Sequence, residues 1–169
     1  MHVATQSRIT DRTVNIAELA REHYALVYRF CVRRVGADLA ADVAQETFLT
    51  AQRAKPAFRG TSEVTTWLVG IAFNECRRAL RKQRREPPPI EFDSAVTPSA
   101  EAALVDRHAL SQAMNKLSRE HREVVVLHEL DGFTYGEAAK VLGVPVGTVK
   151  SRLHHAFVQL RRSLDGGAA

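Results

Sequence analysis

The chain has 169 residues, of which 45% are hydrophobic, and a formal net charge of +5 at neutral pH, with an isoelectric point near 9.6. No apolar run is long enough to cross a membrane, and the N-terminus lacks an apolar signal-peptide core, so neither membrane insertion nor secretion is expected. The cysteines, Cys31 and Cys76, lack metal-ligand spacing, and we expect reduced thiols in a cytoplasmic protein. The excess of basic over acidic residues favours an anionic partner such as nucleic acid.

Helical periodicity dominates the sequence, and neither an alternating strand pattern nor a hairpin turn signal occurs. The predicted fold class is all-α, with two small helical domains joined by a flexible acidic linker. The predicted segments are a polar tail (1–14), a first domain (15–86), a linker (87–107), a second domain (108–165) and a short tail (166–169).

The linker is predicted from a change in composition. The run Glu86-Pro87-Pro88-Pro89 cannot continue a helix, because proline lacks the backbone N–H and clashes with the preceding turn. Residues 86–106 contain five acidic residues and no Lys or Arg, although the chain as a whole is basic. A new helix is expected near the end of this segment, capped by Ser99.

The segment from Asp38 to Gln52 is predicted to form an amphipathic helix with an unusual outer face. Its expected core side consists of Val43, Ala44, Thr47, Phe48 and Ala51. The opposite side consists of Asp38, Asp42, Gln45, Glu46 and Leu49. Each pair of like charges four residues apart destabilises a helix by about 0.2–0.5 kcal/mol. A leucine that stays exposed to water adds no stabilisation from burial. This face is either a solvated acidic surface with one stray leucine or a docking face for a basic partner.

The next helix is predicted from about Ser62 to Arg85. Its expected apolar side consists of Val64, Trp67, Leu68, Ile71, Ala72 and Ala79. The opposite stripe consists of Gly70, Asn74, Arg77, Arg81 and Arg84, with Arg78, Lys82 and Arg85 at its edges. Six of the ten residues from Cys76 to Arg85 are Lys or Arg, which indicates contact with a phosphate backbone. The alternative is a solvated basic helix end, which the helix dipole also favours. Gly70 is hypothesised to let a DNA backbone come close.

The C-terminal segment has the capping and turn signals of a helix-turn-helix. Ser118, Thr134 and Thr148 are predicted N-caps, Thr134 forming a capping box with Glu137, and Gly143 allows the tight turn. The residues of the last helix that lie away from its apolar stripe, and are candidates for base and phosphate contact, are Lys150, Ser151, His154 and His155. Arg152 adds charge suited to phosphates. The alternative is a plain helical hairpin with a solvated basic face.

Tyr135–His154 resembles region four of bacterial sigma factors, which reads the minus-thirty-five promoter element, and also the output domain of LuxR-type regulators. The first half of the chain discriminates between them. Asp42–Leu49 (DVAQETFL) is similar to the core of sigma region two, and Phe58-Arg59-Gly60-Thr61-Ser62 ahead of Thr66-Trp67-Leu68 resembles that region's base-capturing loop. Two departures from the family pattern are His155 and Phe157, where arginines are usual, and Gly70 is also atypical.

The resemblance assigns roles to residues of this chain. Polymerase contact is implied for Asp38, Asp42, Gln45, Glu46 and Leu49. Contact with minus-ten DNA is implied for Phe58, Arg59, Gly60, Thr61, Ser62, Asn74, Arg77, Arg78 and Arg81. Contact with minus-thirty-five DNA is implied for Thr148, Lys150, Ser151, Arg152, His154 and His155.

We therefore interpret the chain as a sigma factor of the extracytoplasmic-function type. Such a protein would direct RNA polymerase to promoters and would carry out no covalent chemistry itself. The expected partners are core RNA polymerase, through the clamp helices and flap, promoter DNA, and an anti-sigma factor implied by the resemblance alone. No catalytic residue, cofactor or metal is expected. The rival interpretations are a LuxR-like regulator that binds DNA without polymerase and a nucleic-acid-processing enzyme.

Overall fold

The computed structural model describes residues 15–54, 63–83, 85–90 and 100–165, without the side chains of 100–106. Every regular element in these ranges is a helix, which confirms the all-α fold class. In chain order the elements are α1 (Ile16–Val35), α2 (Ala37–Ala54), α3 (Val64–Gln83), α4 (Ala100–Lys116), α5 (Arg119–Val125), the π-helical turn (Val126–Leu130), α6 (Tyr135–Leu142) and α7 (Val146–Asp165).

A single glycine separates the first two helices. Gly36 has φ +82°, a conformation that L side chains rarely adopt, and its N–H donates to the Val32 carbonyl at 3.0 Å. A Cβ atom at this position would lie 2.9 Å from Asp38 Oδ1. Because the turn is so short, α2 begins at once and packs along α1.

The first three helices share one core, and the predicted core side of α2 is confirmed. The α2 residues that are buried there include Val43, Ala44, Thr47, Phe48 and Ala51. Thr47 is the polar residue among these α2 positions, and its hydroxyl donates to the Val43 carbonyl at 2.8 Å. The buried hydroxyl is therefore satisfied within its own helix.

The predicted apolar side of α3 packs against the core, but the buried stripe is wider than predicted. Leu68 and Ala72 are buried, and the other four predicted positions are half-buried and packed against the core: Val64, Trp67, Ile71 and Ala79. The pattern does not single out five further buried residues, which are Thr66, Val69, Phe73, Cys76 and Leu80. The physical reason is that α3 packs against α1 and α2 and also against α6. A helix with neighbours on two sides buries a wider stripe than one that faces a single core.

The two cysteines lie opposite each other in this core. Cys31 on α1 and Cys76 on α3 are both free and buried. The hydrogen bond with Cys76 lowers the pKa of Cys31 despite its burial, and the nearby Arg34 charge adds to this effect. The same hydrogen bond, together with burial, raises the pKa of Cys76.

The N-caps predicted for α5 and α6 are confirmed. Ser118 Oγ accepts from the His121 N–H at 3.3 Å, and the helix continues through the π-helical turn to Gly132, which has φ +75°. Thr134 and Glu137 form the predicted capping box, with distances of 2.8 Å (Thr134 N to Glu137 Oε2) and 3.3 Å (Glu137 N to Thr134 Oγ1).

The predicted cap of the last helix is wrong. The helix α7 begins at Val146, two residues before Thr148, and the Pro145 carbonyl accepts from the N–H groups of Thr148 and Val149 at 2.9 and 3.2 Å. Proline suits a helix start, where its missing N–H would have no helical partner. Thr148 therefore lies within the first turn of α7 instead of capping it.

The predicted linker is partly helical, because α4 begins at Ala100 and so takes in residues 100–107. This start agrees with the helix expected after Ser99. Residues 85–90 are non-helical, as the proline run requires. The Ile90 N–H donates to Asn115 Oδ1 at 3.0 Å, and the Ser111 hydroxyl donates to the Ile90 carbonyl. In the described part of the chain, no helix has the length and apolar character needed to cross a membrane.

Candidate functional site

The outward side of α2 is a compact polar surface with one large apolar residue. We define the acidic α2 face as Asp38, Asp42, Gln45, Glu46 and Leu49. All five are exposed, and Leu49 is 45% exposed. The structure thus brings together all five residues for which the resemblance implies polymerase contact.

The carboxylates of the acidic α2 face differ in their surroundings. Asp38 Oδ2 accepts from Arg85 Nη1 at 2.6 Å, and this hydrogen bond holds the pKa of Asp38 below its usual value. Within the described ranges, no ion pair within 4.0 Å involves Asp42 or Glu46. Two carboxylates beside Leu49 are therefore free to meet a cationic partner.

The second surface lies on α3. We define the basic α3 face as Asn74, Arg77, Arg78 and Arg81. Asn74, Arg78 and Arg81 are exposed, and Arg78 Nη1 lies 3.7 Å from Glu75 Oε2. The loop residues predicted to act with them, Phe58, Arg59, Gly60, Thr61 and Ser62, lie outside the described residues, as does Arg84.

The sequence places Arg77 on the stripe opposite the apolar side of α3, and in the structure its side chain is half-buried. Its guanidinium carbon lies 5.7 Å from the centre of the Phe73 ring, and its Nε is buried without a hydrogen-bond partner. The side chain lines a cavity of about 200 Å³ between α1, α3, α5 and residues 86–90. The cause is that α3 has a second packing partner in the C-terminal half of the chain.

Gly70 lies in the middle of α3 with space around it. A Cβ atom built there would meet nothing within 4 Å, so no packing neighbour requires a glycine. Its carbonyl accepts from Asn74 Nδ2 at 3.1 Å, which fixes the Asn74 amide along the helix.

The third surface is the outward side of α7. We define the α7 face as Thr148, Lys150, Ser151, Arg152, His154 and His155. Lys150, Ser151 and both histidines are exposed, whereas Thr148 and Arg152 are half-buried. Arg152 Nη2 lies 3.8 Å from Glu120 Oε1. Phe157, one of the two departures from the family pattern, is 45% exposed on the same helix.

Two aromatic side chains beside the α7 face come from other helices. The Lys150 ammonium lies 5.7 Å from the centre of the Tyr135 ring, and the His121 ring stacks with His155 at 6.3 Å between ring centres. The sequence pattern of α7 does not single out Tyr135 or His121, because only the packing of α5 and α6 on α7 brings them close. Within the described residues, no group of three or more His, Cys, Asp or Glu is placed to hold a metal ion.

Both halves of the chain match known family models. Residues 19–86 match the model described as Sigma-70 region 2, and residues 107–160 match the model described as Sigma-70, region 4. The RNA polymerase sigma factor HrpL of Pseudomonas syringae pv. syringae is 34% identical over 172 residues, which cover 95% of this chain and 93% of HrpL. The ECF RNA polymerase sigma-E factor of Escherichia coli K12 is 35% identical over 130 residues, which cover 68% of each chain.

Solved structures have a similar fold. The sigma factor RpoE from Bartonella quintana, in complex with the anti-sigma factor NepR, has a TM-score of 0.66 at 24% identity, and the match covers 88% of this chain and 96% of RpoE. CnrH in complex with the cytosolic domain of CnrY has a TM-score of 0.64 at 26% identity, with 89% and 88% covered.

These matches define the class of protein as a promoter-directing subunit of bacterial RNA polymerase. The chain belongs to the sigma-70 family, as a sigma factor of the extracytoplasmic-function type. It binds core RNA polymerase and directs initiation at promoters through their minus-ten and minus-thirty-five elements. The match of the first half to sigma region two decides against the LuxR-like regulator, which leaves that half unexplained.

Proposed function

We propose that three separate faces divide the work of promoter recognition in this chain. The acidic α2 face binds the clamp helices of the largest polymerase subunit. The basic α3 face and the loop before it hold minus-ten DNA, and the α7 face reads minus-thirty-five DNA. The domains are 15–86 and 108–165. The observation that carries the proposal is Leu49, 45% exposed beside Asp42 and Glu46, whose carboxylates form no ion pair with any residue that the structure describes.

Docking of polymerase on α2 would remove two unfavourable features of this face, a repulsion between like charges and an exposed leucine. Asp42 and Glu46 repel each other across one helical turn, and a basic partner helix would turn that repulsion into attraction. Leu49 would leave water at the centre of the contact, where an apolar anchor ringed by polar groups contributes most to affinity. In the isolated chain, the same arrangement of charges and exposed leucine contributes no stability.

Minus-ten recognition is proposed to depend on α3 and the loop before it. The arginines of the basic α3 face would neutralise phosphates and fix the strand, which positions DNA without reading its sequence. A base that has left the stack needs a small pocket with polar groups for its edge, and we assign that role to Phe58, Arg59, Gly60, Thr61 and Ser62. Holding unpaired bases favours melting without covalent chemistry, so we propose no catalytic activity and no cofactor for this chain.

Minus-thirty-five recognition is proposed to place the first turns of α7 in the major groove. The backbone N–H groups that precede Thr148 at the start of α7 would meet a phosphate, and Lys150 and Ser151 lie on the outward side of the next turn. The half-buried Arg152 and the two histidines flank them. Because polymerase and promoter DNA are cytoplasmic in bacteria, we propose a cytoplasmic location.

An anti-sigma factor is the proposed inhibitory partner. The Bartonella quintana RpoE structure contains the anti-sigma factor NepR, and the sigma family as a whole leads us to expect a similar partner here. Affinity capture of the tagged chain from its native host should recover RNA polymerase and one further small protein. Repeated recovery of polymerase alone would count against this part of the proposal.

Lys150→Ala tests the assignment of the α7 face, with Lys116→Ala as a control of equal charge on an exposed position of α4. With core polymerase and a promoter that contains both elements, Lys150→Ala should lower transcription by roughly 5- to 150-fold, the loss of one base contact of about 1–3 kcal/mol. Lys116→Ala should leave it unchanged. Equal losses in both variants would mean that bulk charge, not the α7 face, determines promoter use.

A further inference from the structure

A cavity lined by several arginine side chains lies where α1, α3 and α5 meet residues 86–90. Its volume is about 200 Å³, which at about 30 Å³ for each water molecule corresponds to about seven waters or to one small organic molecule. Two glutamates, Glu86 and Glu123, also line it, so positive charge predominates. We call it the arginine cavity, after its five arginines: Arg33, Arg34, Arg77, Arg119 and Arg122.

Three of these arginines have carboxylate partners. Arg34 Nη2 donates to Asp131 Oδ2 at 2.9 Å, and Arg33 Nη2 donates to Oδ1 of the same carboxylate. On α5, Arg119 Nε donates to Glu123 Oε1 at 3.1 Å. The positive charges of these three side chains therefore already face anionic groups of the chain itself.

Arg77 and Arg122 have no carboxylate partner among the residues that the structure describes. Both side chains are half-buried, and the Nε atom of each is buried without a hydrogen-bond partner in the same described ranges. A buried N–H of a charged group that lacks an acceptor is costly, and such groups usually have a partner in folded proteins. The two side chains therefore present donors that an anion in the cavity could satisfy.

Both guanidinium groups are held in position by other contacts. Arg122 Nη2 donates to the carbonyls of Asn115 and Leu117 at 2.8 and 3.3 Å, at the end of α4. The Arg77 guanidinium carbon lies 5.7 Å from the centre of the Phe73 ring. Donors that are already placed lose little conformational freedom when a ligand binds, which favours affinity.

The rest of the cavity wall is mostly apolar. The Ile90 N–H donates to Asn115 Oδ1 at 3.0 Å, so the segment that covers one side of the cavity is fixed to α4. Glu86 is exposed, and water screens the charge of its carboxylate. A ligand that fits this wall has an apolar body beside its anionic group. The apolar lining residues are Phe73, Leu80, Pro87, Pro88, Ile90 and Val126.

The number of uncompensated charges indicates which anion fits. A carboxylate would balance one of the two positive charges, whereas a phosphomonoester carries about −1.5 to −2 at neutral pH and has three acceptor oxygens. Guanidinium groups present paired N–H donors that match phosphate oxygens. Because Arg77 and Arg122 line one cavity of this size, a single phosphate group can accept from both.

We propose that the arginine cavity binds a small phosphomonoester with an apolar body. The phosphate accepts hydrogen bonds from Arg77 and Arg122, and the body lies against Phe73, Ile90 and Val126. The ligand is bound without any covalent step. The site is separate from the three faces proposed for polymerase and promoter DNA, except that it shares Arg77 with the basic α3 face.

Isothermal titration calorimetry of the full chain with phenyl phosphate tests the site, with inorganic phosphate and phenol as probes for the two parts of that molecule. Phenyl phosphate should bind wild type roughly tenfold or more tightly than either part, because both the charged hydrogen bonds and the buried ring contribute to affinity. Inorganic phosphate that binds as tightly as phenyl phosphate would mean that the cavity takes a free phosphate ion, and would overturn the assignment to an ester.

Three glutamine variants locate the bound probe. Arg77→Gln and Arg122→Gln each remove one uncompensated charge, and each should weaken binding of phenyl phosphate by roughly tenfold or more. Arg29→Gln, which removes an exposed arginine of α1 that does not line the cavity, should bind as wild type does. Circular dichroism checks that each variant keeps its helix content. Where a glutamine variant unfolds, Arg77→Lys or Arg122→Lys replaces it and should also weaken binding, because lysine keeps the charge but lacks the guanidinium fork.

Two further outcomes would overturn the proposal. One is that wild type fails to bind phenyl phosphate at millimolar concentration, a result that does not depend on how the variants fold. The other is equal affinity in wild type and in the folded variants of Arg77 and Arg122, which would place the probe elsewhere on the chain. Since neither polymerase nor DNA is present in this experiment, its failure would leave the proposed function untouched.

Discussion

Glu137 shows how one side chain connects local capping to the packing of the two halves. Burial raises the pKa of its carboxyl, but hydrogen bonds from the Thr134 N–H, the Thr134 hydroxyl and the Thr66 hydroxyl outweigh burial, and the net pKa lies below the usual value. A depressed folded-state pKa contributes stability at pH values above the unfolded pKa, about 4.3, and the contribution disappears as pH falls through the folded value.

The first prediction follows from the lowered pKa of Glu137. The melting temperature of the wild type should fall between about pH 5 and pH 3, and Glu137→Gln should reduce the slope, because an amide does not titrate in this range. Thr66→Val, which removes one of the three donors, should give an intermediate slope. Thermal denaturation followed by circular dichroism across this pH range measures all three. Parallel curves for Glu137→Gln and wild type would contradict the role given to this carboxyl.

The second prediction concerns Gly70. Because a Cβ atom would meet nothing there, Gly70→Ala should stabilise the chain by about 1 kcal/mol, the difference in helix propensity between the two residues. Chemical denaturation measures this gain. If DNA approaches α3 closely at this point, the same variant should weaken promoter binding by the polymerase complex. Stabilisation without any loss of promoter binding would reject the close approach of DNA.

At the scale of an element, the turn of the helix-turn-helix depends on one backbone conformation. Gly143 has φ +67°, and the N–H of Val144 donates to the Ala139 carbonyl at 3.1 Å, which closes α6. Gly143→Ala should destabilise the chain by about 1–2 kcal/mol, since no side chain clash adds to the backbone strain. Gly147→Ala, on α7 with equally open space, is the control. Equal stability of the two variants in urea denaturation would contradict the backbone argument.

The sequence pattern predicts elements well where the signal is local. The capping box at Thr134, the Ser118 cap and the buried side of α2 depend on residues within one or two turns, and the structure confirms them. The start of α7 is mispredicted, because Thr148 and Pro145 both suit a helix start and the pattern does not rank them. The wider buried stripe of α3 depends on α6, more than 50 residues further along the chain. The half-buried position of Arg77 depends on a cavity that α1, α5 and residues 86–90 also line.

The candidate surfaces divide in the same way, into residues that share one helix and residues that only packing brings together. The acidic α2 face and the exposed part of the α7 face can be read from helical spacing, because each lies on one helix. Tyr135 and His121 beside α7 cannot, because they come from other helices. The partner of Asp131 is also beyond sequence pattern, since Arg34 lies 97 residues earlier.

At the scale of the whole molecule, the three proposed faces lie on different helices. The acidic α2 face is fully exposed, whereas Arg77 of the basic α3 face and Thr148 and Arg152 of the α7 face are half-buried. Because the faces lie on different helices, the proposed docking of polymerase on α2 is measurable separately from the proposed DNA contacts of α3 and α7.

Co-elution with bacterial core RNA polymerase tests the central claim most directly. Asp42→Arg/Glu46→Arg reverses two charges on the acidic α2 face, and Glu18→Arg/Glu22→Arg makes the same charge change at exposed positions of α1. Wild type and the α1 control should co-elute with core polymerase, and the α2 variant should not, while its helix content stays that of wild type. Co-elution of the α2 variant at wild-type level would contradict the assignment of the docking face to α2.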